Sequence, residues 1–332
     1  MLSNLLKSSA VLAIAIGVAG AADARTTLRF HTFYGTEMDE FAKKMQEAVD
    51  QGTGGEVRIQ YFQGGGLVES DQFVEAIARG TIDVAYGVGS YWPGQVDIAN
   101  IEAGLPGAWV TPDEARAVHD KLMPLMEEAY AEANVVLIGH GYGSNYDLLT
   151  KNPVGGIEDL KTMKIRTTGL MADLLNEFGV PTVFLPAQEL YVGLSTGVID
   201  GVLYGGPFEY QQLKFDEVAN NYTFLNLLNP GWTETIIANP KSWEGLSDEH
   251  REIVEDAIMQ YAADIHNFLE GGNAAVIEAG EGFNFASLPA EDTAALTAAA
   301  QKMWDAEAGK SDRAAKAIEI LRENAREQGR LE

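Results

Sequence analysis

One arginine occupies a position in the sequence that suits it to bind an anion. Arg166 ends a short apolar strand, and a helix with leucines at helical spacing follows it and ends at Gly179. Open α/β sheets present ligand-binding groups at the carboxyl ends of their strands, and a guanidinium holds a carboxylate through two parallel hydrogen bonds. The spacing alone is also compatible with a solvated arginine at a strand end, which is the commoner situation.

Aromatic residues cluster in the predicted loops at the ends of other strands. Aromatic side chains wall many ligand pockets, while a few placed polar groups fix the orientation of the ligand. Packing in the core or the hinge is the alternative, and we expect about half of these rings to contact a ligand. The residues are Phe33, Tyr34, Tyr91, Trp92, Tyr142, Tyr204, Phe208 and Trp232.

Other signatures of catalysis are missing from the sequence. The 5 histidines are far apart along the chain, so we expect each in a surface or loop position rather than in a zinc site. No Gly-x-Ser-x-Gly frame, dinucleotide loop or phosphate-binding loop has the required spacing. The residues therefore predict a binding protein and not an enzyme.

The elements around Arg166 predict an α/β fold of two lobes. Residues 163–207 are patterned as strand, helix, strand, helix and strand. Residues 76–84 weakly resemble residues 193–201, because each segment has a helix end, a glycine and a strand that begins Ile-Asp. Two similar lobes that the chain crosses several times predict an interlobe cleft and a hinge that can close around a ligand.

Turn signals and helix patterns give the expected bounds of the lobes. An Asn-Pro turn at 152–153 marks the predicted boundary between them. After an N-terminal segment, 1–24, we assign 25–152 to the first part of lobe I, 153–230 to lobe II, and 231–332 to a return to lobe I.

The last third of the chain is predicted to be mostly helical. Residues 247–268 form a long connecting helix that spans the hinge, and the Glu-Gly-Gly-Asn run at 270–273 is expected to break or kink it. The segments beyond are rich in Ala, Glu and Lys and hold few large apolar residues, so we place the C-terminal helices on the surface.

Composition and the first residues constrain partners and location. The net charge of -26 disfavours nucleic acid and anionic membranes as partners, and the absence of cysteine excludes disulfides. Residues 1–24 carry Lys7, a short apolar run and an Ala-Asp-Ala site, which predict a cleavable signal peptide. An uncleaved anchor helix is the alternative, but the run is short for a membrane span. We expect a periplasmic location and no direct insertion into the membrane.

Several motifs taken together resemble the DctP-type solute-binding proteins of TRAP transporters. The segments are Met-Lys-Ile-Arg-Thr-Thr-Gly at 163–169, Gly-Val-Pro at 179–181, Leu-Pro-x-x-Glu-Leu-Tyr at 185–191 and Gly-Val-Ile-Asp-Gly at 197–201. The resemblance runs to about residue 268. It implies a two-lobe periplasmic receptor that delivers a small organic anion to a sodium-coupled permease. It also implies that Arg166 binds the carboxylate of the ligand.

One branch of that family binds 2-oxo or 2-hydroxy monocarboxylates through a bridging metal, which a glutamate and a glutamine hold. The corresponding glutamate position is Leu203 here, and the loop at 141–145 has no glutamine. Hard cations require oxygen ligands, so we predict neither a metal nor another cofactor. The candidate ligand contacts are Arg166, Tyr34, Trp92, Asn145, Tyr204, Phe208 and Trp232.

Two alternatives remain at this point. The same fold serves as an extracytoplasmic sensor module for a membrane kinase, and the sequence does not separate that role from transport. An exported hydrolase or lyase is the other class, against which the absence of a catalytic frame argues.

Overall fold

The computed structural model describes residues 25–167, 169–185 and 189–331, so the predicted signal peptide lies outside the described residues. The strands are β1 (Thr26–Thr32), β2 (Val57–Phe62), β3 (Val84–Val88), β4 (Val136–Tyr142), β5 (Leu148–Thr150), β6 (Ile165–Arg166), β7 (Thr182–Val183), β8 (Gly201–Leu203), β9 (Asn221–Phe224), β10 (Thr233–Ala238) and β11 (Asn284–Ser287). The α-helices are α1 (Asp39–Gly52), α2 (Phe73–Ala78), α3 (Ala99–Ala103), α4 (Pro112–Glu132), α5 (Ile157–Leu160), α6 (Gly169–Glu177), α7 (Leu190–Thr196), α8 (Pro207–Gln212), α9 (Pro240–Glu244), α10 (Asp248–Ala279), α11 (Ala290–Ala308) and α12 (Asp312–Glu327).

The first sheet forms the centre of lobe I. Its strand order is β2-β1-β3-β10-β4, in which β1 runs parallel to β2 and β3, and β10 runs antiparallel to β3 and β4. Every residue of β3 and β10 is buried, because helices cover both faces. One face packs against α1 and α10, and the other packs against α2, α3, α4 and α12.

The second sheet forms the centre of lobe II. Its order is β11-β9-β5-β8-β6-β7. Strands β6, β7 and β8 are parallel, β5 is antiparallel to both of its neighbours, and β11 is parallel to β9. The predicted two-lobe α/β architecture is therefore confirmed, with Arg166 at the end of an inner strand.

The lobe bounds differ from the predicted ones at both ends of lobe II. Strand β5 already belongs to the second sheet, so the chain leaves lobe I between β4 and β5, before the turn at 152–153. Strand β11 pairs with β9, so the segment after residue 231 does not simply return to lobe I. A turn signal marks where the chain bends but does not tell which sheet the preceding strand joins.

The C-terminal helices are not confined to the surface, in contrast to the expectation. Trp304, Ile318 and Leu321 are completely buried, and helix α12 packs against α4 of lobe I. Helix α11 packs against α12 and against α6 of lobe II. Buried alanines such as Ala300 and Ala317 allow the helices to approach closely, so few large side chains are needed. No helix of the described residues combines the length and the apolar character that crossing a membrane requires.

Helix α10 connects the two lobes without the predicted break at 270–273. Ser247 caps its first turn by accepting from the backbone N–H of His250 at 3.1 Å, and the helix then continues for 32 residues. It contacts α1 and β4 in lobe I and α8 in lobe II. A Cβ on Gly272 would lie 2.4 Å from the ring of Phe208, so the glycine permits the close approach of lobe II.

The two adjacent glycines of α10 should respond oppositely to the same substitution. We expect Gly272→Ala to lower the free energy of unfolding by about 1–3 kcal/mol, because the new methyl group overlaps the ring of Phe208. Gly271→Ala is the matched control. Its Cβ would meet no atom within 4 Å, and we expect it to raise stability by about 0.5–1 kcal/mol. Urea unfolding of both variants measures the difference, and equal effects would contradict the proposed contact.

Candidate functional site

Arg166 lies at the carboxyl end of β6, between strands β7 and β8. Its side chain is buried, and its Nε donates to the carbonyl of Leu185 at 2.9 Å. Its Nη1 donates to the carbonyl of Leu203 at 3.3 Å. Leu203 is the last residue of β8 and Leu185 follows β7, so the two neighbouring strands fix the plane of the guanidinium. Within the described residues, no carboxylate lies within 4.0 Å of it.

Two aromatic rings flank the guanidinium of Arg166. Its central carbon lies 5.6 Å from the ring centre of Phe184 and 5.4 Å from that of Tyr204. Cation–π contacts of this kind hold an arginine in place without neutralising its charge. Phe184 is 64% exposed, which is unusual for a phenylalanine and leaves one wall of the site accessible. The arginine is thus oriented by neutral groups, and its charge is available to a ligand.

Lobe I contributes a second group of rings. The ring centres of Phe33 and Tyr34 are 4.2 Å apart, and Phe33 stacks on Tyr86 at 6.2 Å. Tyr91 packs edge-on against Phe33 at 6.0 Å and remains 42% exposed. Phe33 and Tyr34 follow β1, Tyr86 lies within β3 and Tyr91 follows β3, so the rings gather near the carboxyl ends of two inner strands.

Tyr91 of lobe I lies close enough to Arg166 and Tyr204 of lobe II for their charges to affect one another. Although Tyr91 is partly exposed, desolvation of its phenol raises its pKa to about 12, Tyr146 adds to the rise, and the charge of Arg166 in lobe II opposes it. Burial also raises the pKa of Tyr204, and the nearby Glu209 carboxylate and Tyr91 phenol raise it further. Residues of both lobes therefore share one cleft that contains Arg166.

A buried carboxylate lies behind the rings of lobe I. Glu234 of β10 is completely buried and accepts from the hydroxyls of Tyr34 and Tyr86. The indole Nε1 of Trp232 donates to it at 3.2 Å. Burial raises the pKa of Glu234, and the three donors oppose this rise because they stabilise the ionised form.

A second carboxylate lies in lobe II, in the first turn of α8. The backbone N–H of Gly206 donates to Oε2 of Glu209 at 3.1 Å. Burial raises the pKa of Glu209 to about 7, while hydrogen bonds from Ser144 and Gly206 lower it. The nearby charges of Glu234 and Glu37 raise it further. Glu209 of lobe II and the buried Glu234 of lobe I are therefore close enough for their charges to affect each other.

The structure brings some of the predicted site residues together. Tyr204 flanks Arg166, and Tyr34 and Trp232 meet at Glu234. The buried Oδ1 of Asn145 has no hydrogen-bond partner within the described residues. The next residue, Tyr146, has its hydroxyl 3.2 Å from the hydroxyl of Thr167. These positions all belong to the cleft or to the segment that enters it from β4.

Trp92 and Phe208 do not lie with the others. Trp92 is 1% exposed in the core of lobe I, where its Nε1 donates to Tyr130 at 3.0 Å, and its exposed neighbour Tyr91 faces the cleft instead. Phe208 packs against α10, with its ring centre 5.1 Å from that of Phe268. Loop aromatics adjacent in sequence point in different directions, and the sequence does not tell which one enters the core.

Sequence reasoning missed Glu209 and Glu234. A glutamate within the otherwise uncharged strand β10 was a detectable signal for a buried acid. The run from Gly206 to Glu209 also has the spacing of a helix N-terminus with an acidic third residue. Both signals were difficult to separate from the many other acids in this acidic chain.

The metal site of the 2-oxoacid branch does not fit the residues present here. Leu203 is completely buried in β8 and offers no side-chain oxygen, and its carbonyl accepts from Arg166. Among the described residues, no group of three or more His, Asp or Glu side chains is arranged to hold a metal ion.

This geometry defines a class of protein, the two-lobed α/β receptor with an arginine and aromatic rings between its lobes. The chain belongs to the DctP family, the bacterial extracellular solute-binding proteins of family 7, whose model matches residues 34–310. Members of this family are solute receptors of TRAP transporters, which bind small molecules and work with membrane permease subunits, and they are not enzymes.

Individual relatives share between 24% and 29% of their aligned residues with this chain. The chain is 27% identical to a monocarboxylate 2-oxoacid-binding periplasmic protein of Nostoc sp. over 69% of this chain and 62% of that protein. It is 29% identical to the ectoine-binding periplasmic protein TeaA of Halomonas elongata over 76% and 75% of the two chains. A TRAP periplasmic solute-binding protein of Chromohalobacter salexigens, solved with (S)-(+)-2-amino-1-propanol, shares the fold with a TM-score of 0.82, 24% identity, and coverage of 91% and 96%.

Proposed function

We propose that this protein is the periplasmic receptor of a TRAP transporter. In this proposal it captures a small organic acid in the interlobe cleft and delivers the acid to a sodium-coupled membrane permease, after export through the signal peptide at 1–24. The observation that carries the proposal is the environment of Arg166. The guanidinium is buried, aligned by Leu185 and Leu203, and within the described residues it has no carboxylate partner.

The energetics of a buried arginine support a carboxylate ligand. A charge removed from water without a counter-ion is costly, and proteins keep such groups mainly where a ligand completes them. Nη1 and Nε of Arg166 already donate to backbone carbonyls, while Nη2 has no hydrogen-bond partner among the described residues. A carboxylate placed at the Nη groups would receive charge-assisted hydrogen bonds and neutralise the guanidinium.

The connections between the lobes support capture by closure. Asn273 of α10 accepts from the backbone N–H of Phe208 at 3.0 Å and donates to the hydroxyl of Ser144 at 2.8 Å. It thereby joins the long helix to lobe II and to the segment between β4 and β5. Hinge closure around such connections would exclude water from the cleft and strengthen the contact between Arg166 and the acid.

The ligands for which two relatives are named support an acidic solute class. The Nostoc protein is described as binding monocarboxylate 2-oxoacids, and the Halomonas protein as binding ectoine. These ligands belong to those two proteins. They guide the choice of compounds for testing this chain, together with mono- and dicarboxylates and sugar acids.

A thermal-shift screen of the mature protein tests the proposed function. We expect at least one carboxylate to stabilise the protein, because a ligand at 100 times its dissociation constant adds roughly 2.7 kcal/mol. The shift should persist in EDTA, since among the described residues no group of His, Asp or Glu side chains is arranged to hold a metal ion. An EDTA-sensitive shift would contradict the metal-free site, and the absence of any carboxylate hit would contradict the proposed function.

A further inference from the structure

One histidine of lobe I has hydrogen-bond partners that require it to be neutral. His31 of β1 is completely buried. Its Nδ1 lies 2.9 Å from the carbonyl of Thr32, which can only accept, so Nδ1 carries a proton. Its Nε2 accepts from the backbone N–H of Leu67 at 3.0 Å and from that of Val68 at 3.4 Å. Because both of these groups can only donate, Nε2 is unprotonated, and an imidazolium does not fit this arrangement.

The two donors belong to the glycine loop, residues 63–69, which lies between β2 and α2. The backbone N–H of Gly64 donates to the carbonyl of Tyr34 at 2.8 Å. A Cβ on Gly64 would lie 2.5 Å from the carbonyl oxygen of Phe33, so the loop and this segment pack backbone against backbone. The rings of Phe33 and Tyr34 belong to the lobe I wall of the cleft. The loop is therefore attached at one end to this wall and at the other end to His31.

Packing contributes little to holding the glycine loop in place. Residues 64–67 are exposed, and Leu67 remains 45% exposed although its side chain is apolar. The imidazole of His31 satisfies two backbone N–H groups of the loop at once. Without this acceptor, the N–H groups either stay unpaired, which is costly, or leave for water together with the loop. His31 thus determines whether the loop stays closed.

We propose that His31 is a positioning residue of the receptor, which in its neutral form holds the glycine loop against the Phe33–Tyr34 wall of the cleft and releases it in acid. On the basis of the proposed function, release removes the support that Gly64 gives to Tyr34 and weakens the capture of the solute. His31 lies behind the wall and acts through the loop.

The surroundings of His31 determine the direction of the pH effect. The ring centres of Phe62 on β2 and Phe73 on α2 lie 6.3 and 4.9 Å from that of His31, and β3 presents Ala85. Burial lowers the pKa of His31, although the carboxylate of Glu69 opposes this change. A ring released into water would protonate near its ordinary pKa of about 6.5. The loop should therefore open more often as the pH falls below about 6.5.

Hydrogen exchange of the mature protein, measured without solute by mass spectrometry, tests the proposal. The peptide that covers residues 63–69 is compared at pH 7.5 and 5.0, after correction for the intrinsic exchange rates. In the unaltered protein we expect its protection to fall at least about threefold, because the open form gains a proton that the closed form resists.

Three variants isolate the imidazole of His31. His31→Gln offers an oxygen in place of Nε2 that does not titrate, so its protection should change by less than about twofold between the two pH values. His31→Leu fills the space without an acceptor and should lower protection at least about tenfold already at pH 7.5. His250→Gln is the matched control, because this histidine lies near Glu56 at the opposite end of β2, and it should behave like the unaltered protein.

Isothermal titration calorimetry with pyruvate at pH 7.5 measures the effect on the cleft. We expect His31→Leu to bind pyruvate about three- to tenfold more weakly than the unaltered protein, which corresponds to one net hydrogen bond. His31→Gln should bind it within about twofold, because the loop stays in place.

The outcomes separate this inference from the proposed function. A fall in protection as large in His31→Gln as in the unaltered protein would overturn the role of His31. A released loop with unchanged pyruvate affinity in His31→Leu would overturn its effect on the cleft. Failure of pyruvate to bind the unaltered protein would count against the proposed function and leave the role of His31 to the exchange measurement, which needs no solute.

Discussion

Replacing Arg166 with alanine is expected to weaken carboxylate binding at least about 100-fold, or roughly 2.7 kcal/mol. The guanidinium is buried and held by the carbonyls of Leu185 and Leu203, so its position in the closed cleft is determined before the ligand arrives. Removing one partner of a buried charge pair commonly costs 2–5 kcal/mol, since the other charge is left without compensation. Isothermal titration calorimetry with the best carboxylate from the thermal-shift screen measures the loss.

A second substitution separates the effect of the planar guanidinium from the effect of its positive charge, and a third serves as the control. Arg166→Lys keeps the charge but loses the planar pair of donors, and we expect an intermediate loss of affinity. Arg116→Ala is the control, because this arginine lies over Tyr142 in lobe I, 5.1 Å from the ring centre, and should not affect binding. An Arg166→Ala protein whose affinity stays within about threefold of the original would show that Arg166 does not bind the ligand.

The second large effect is expected on stability, from Glu102 in the core of lobe I. This completely buried carboxylate accepts from Tyr130 at 2.6 Å and from Thr235 at 3.0 Å, and its Oε1 lies 2.7 Å from Nε2 of His140. It therefore joins α3 to α4, β4 and β10. Glu102→Ala should lower the free energy of unfolding by about 3–5 kcal/mol, because three buried polar groups lose their acceptor.

Urea unfolding measures this effect, with Glu127→Ala as the control. Glu127 is exposed on α4, and its replacement should change stability by less than about 0.5 kcal/mol. Glu102→Gln retains one acceptor oxygen and should fall between the two. A Glu102→Ala protein as stable as the Glu127→Ala protein would contradict the central position of this network.

The histidines show one limit of reasoning from sequence. We expected all of them in surface or loop positions, yet His31, His119 and His140 are buried. The rings of His119 and His140 lie 4.9 Å apart, although the residues are distant in sequence. Burial lowers the pKa of His119 to about 4, so this ring is neutral near pH 7. Contacts between distant segments determine these environments.

Features with a local physical cause were predictable. Arg166 ends strand β6, Gly179 adopts φ +78 after the helix that follows, and Ser247 caps α10, as the sequence patterns indicated. Each depends on residues within one or two turns of the chain. The two-lobe α/β class also followed from the alternation of strand and helix patterns.

Features that depend on long-range packing were not predictable in the same way. The pairing of β11 with β9 is determined by sheet assembly, and the continuity of α10 through Gly271 and Gly272 depends on how Phe208 packs against it. The same limitation applies to Tyr91 and Trp92, which are adjacent residues with opposite environments. Glu209 and Glu234 become recognisable as parts of one site only when both lobes are placed.

The most direct test of the central claim is a crystal structure of the protein with the best-binding carboxylate from the screen. The account predicts the carboxylate of the ligand between the lobes, with its oxygens about 2.7–2.9 Å from the guanidinium nitrogens of Arg166. The rings of Phe184 and Tyr204 should lie beside it. A ligand bound elsewhere, or one whose carboxylate points away from Arg166, would contradict the proposed site.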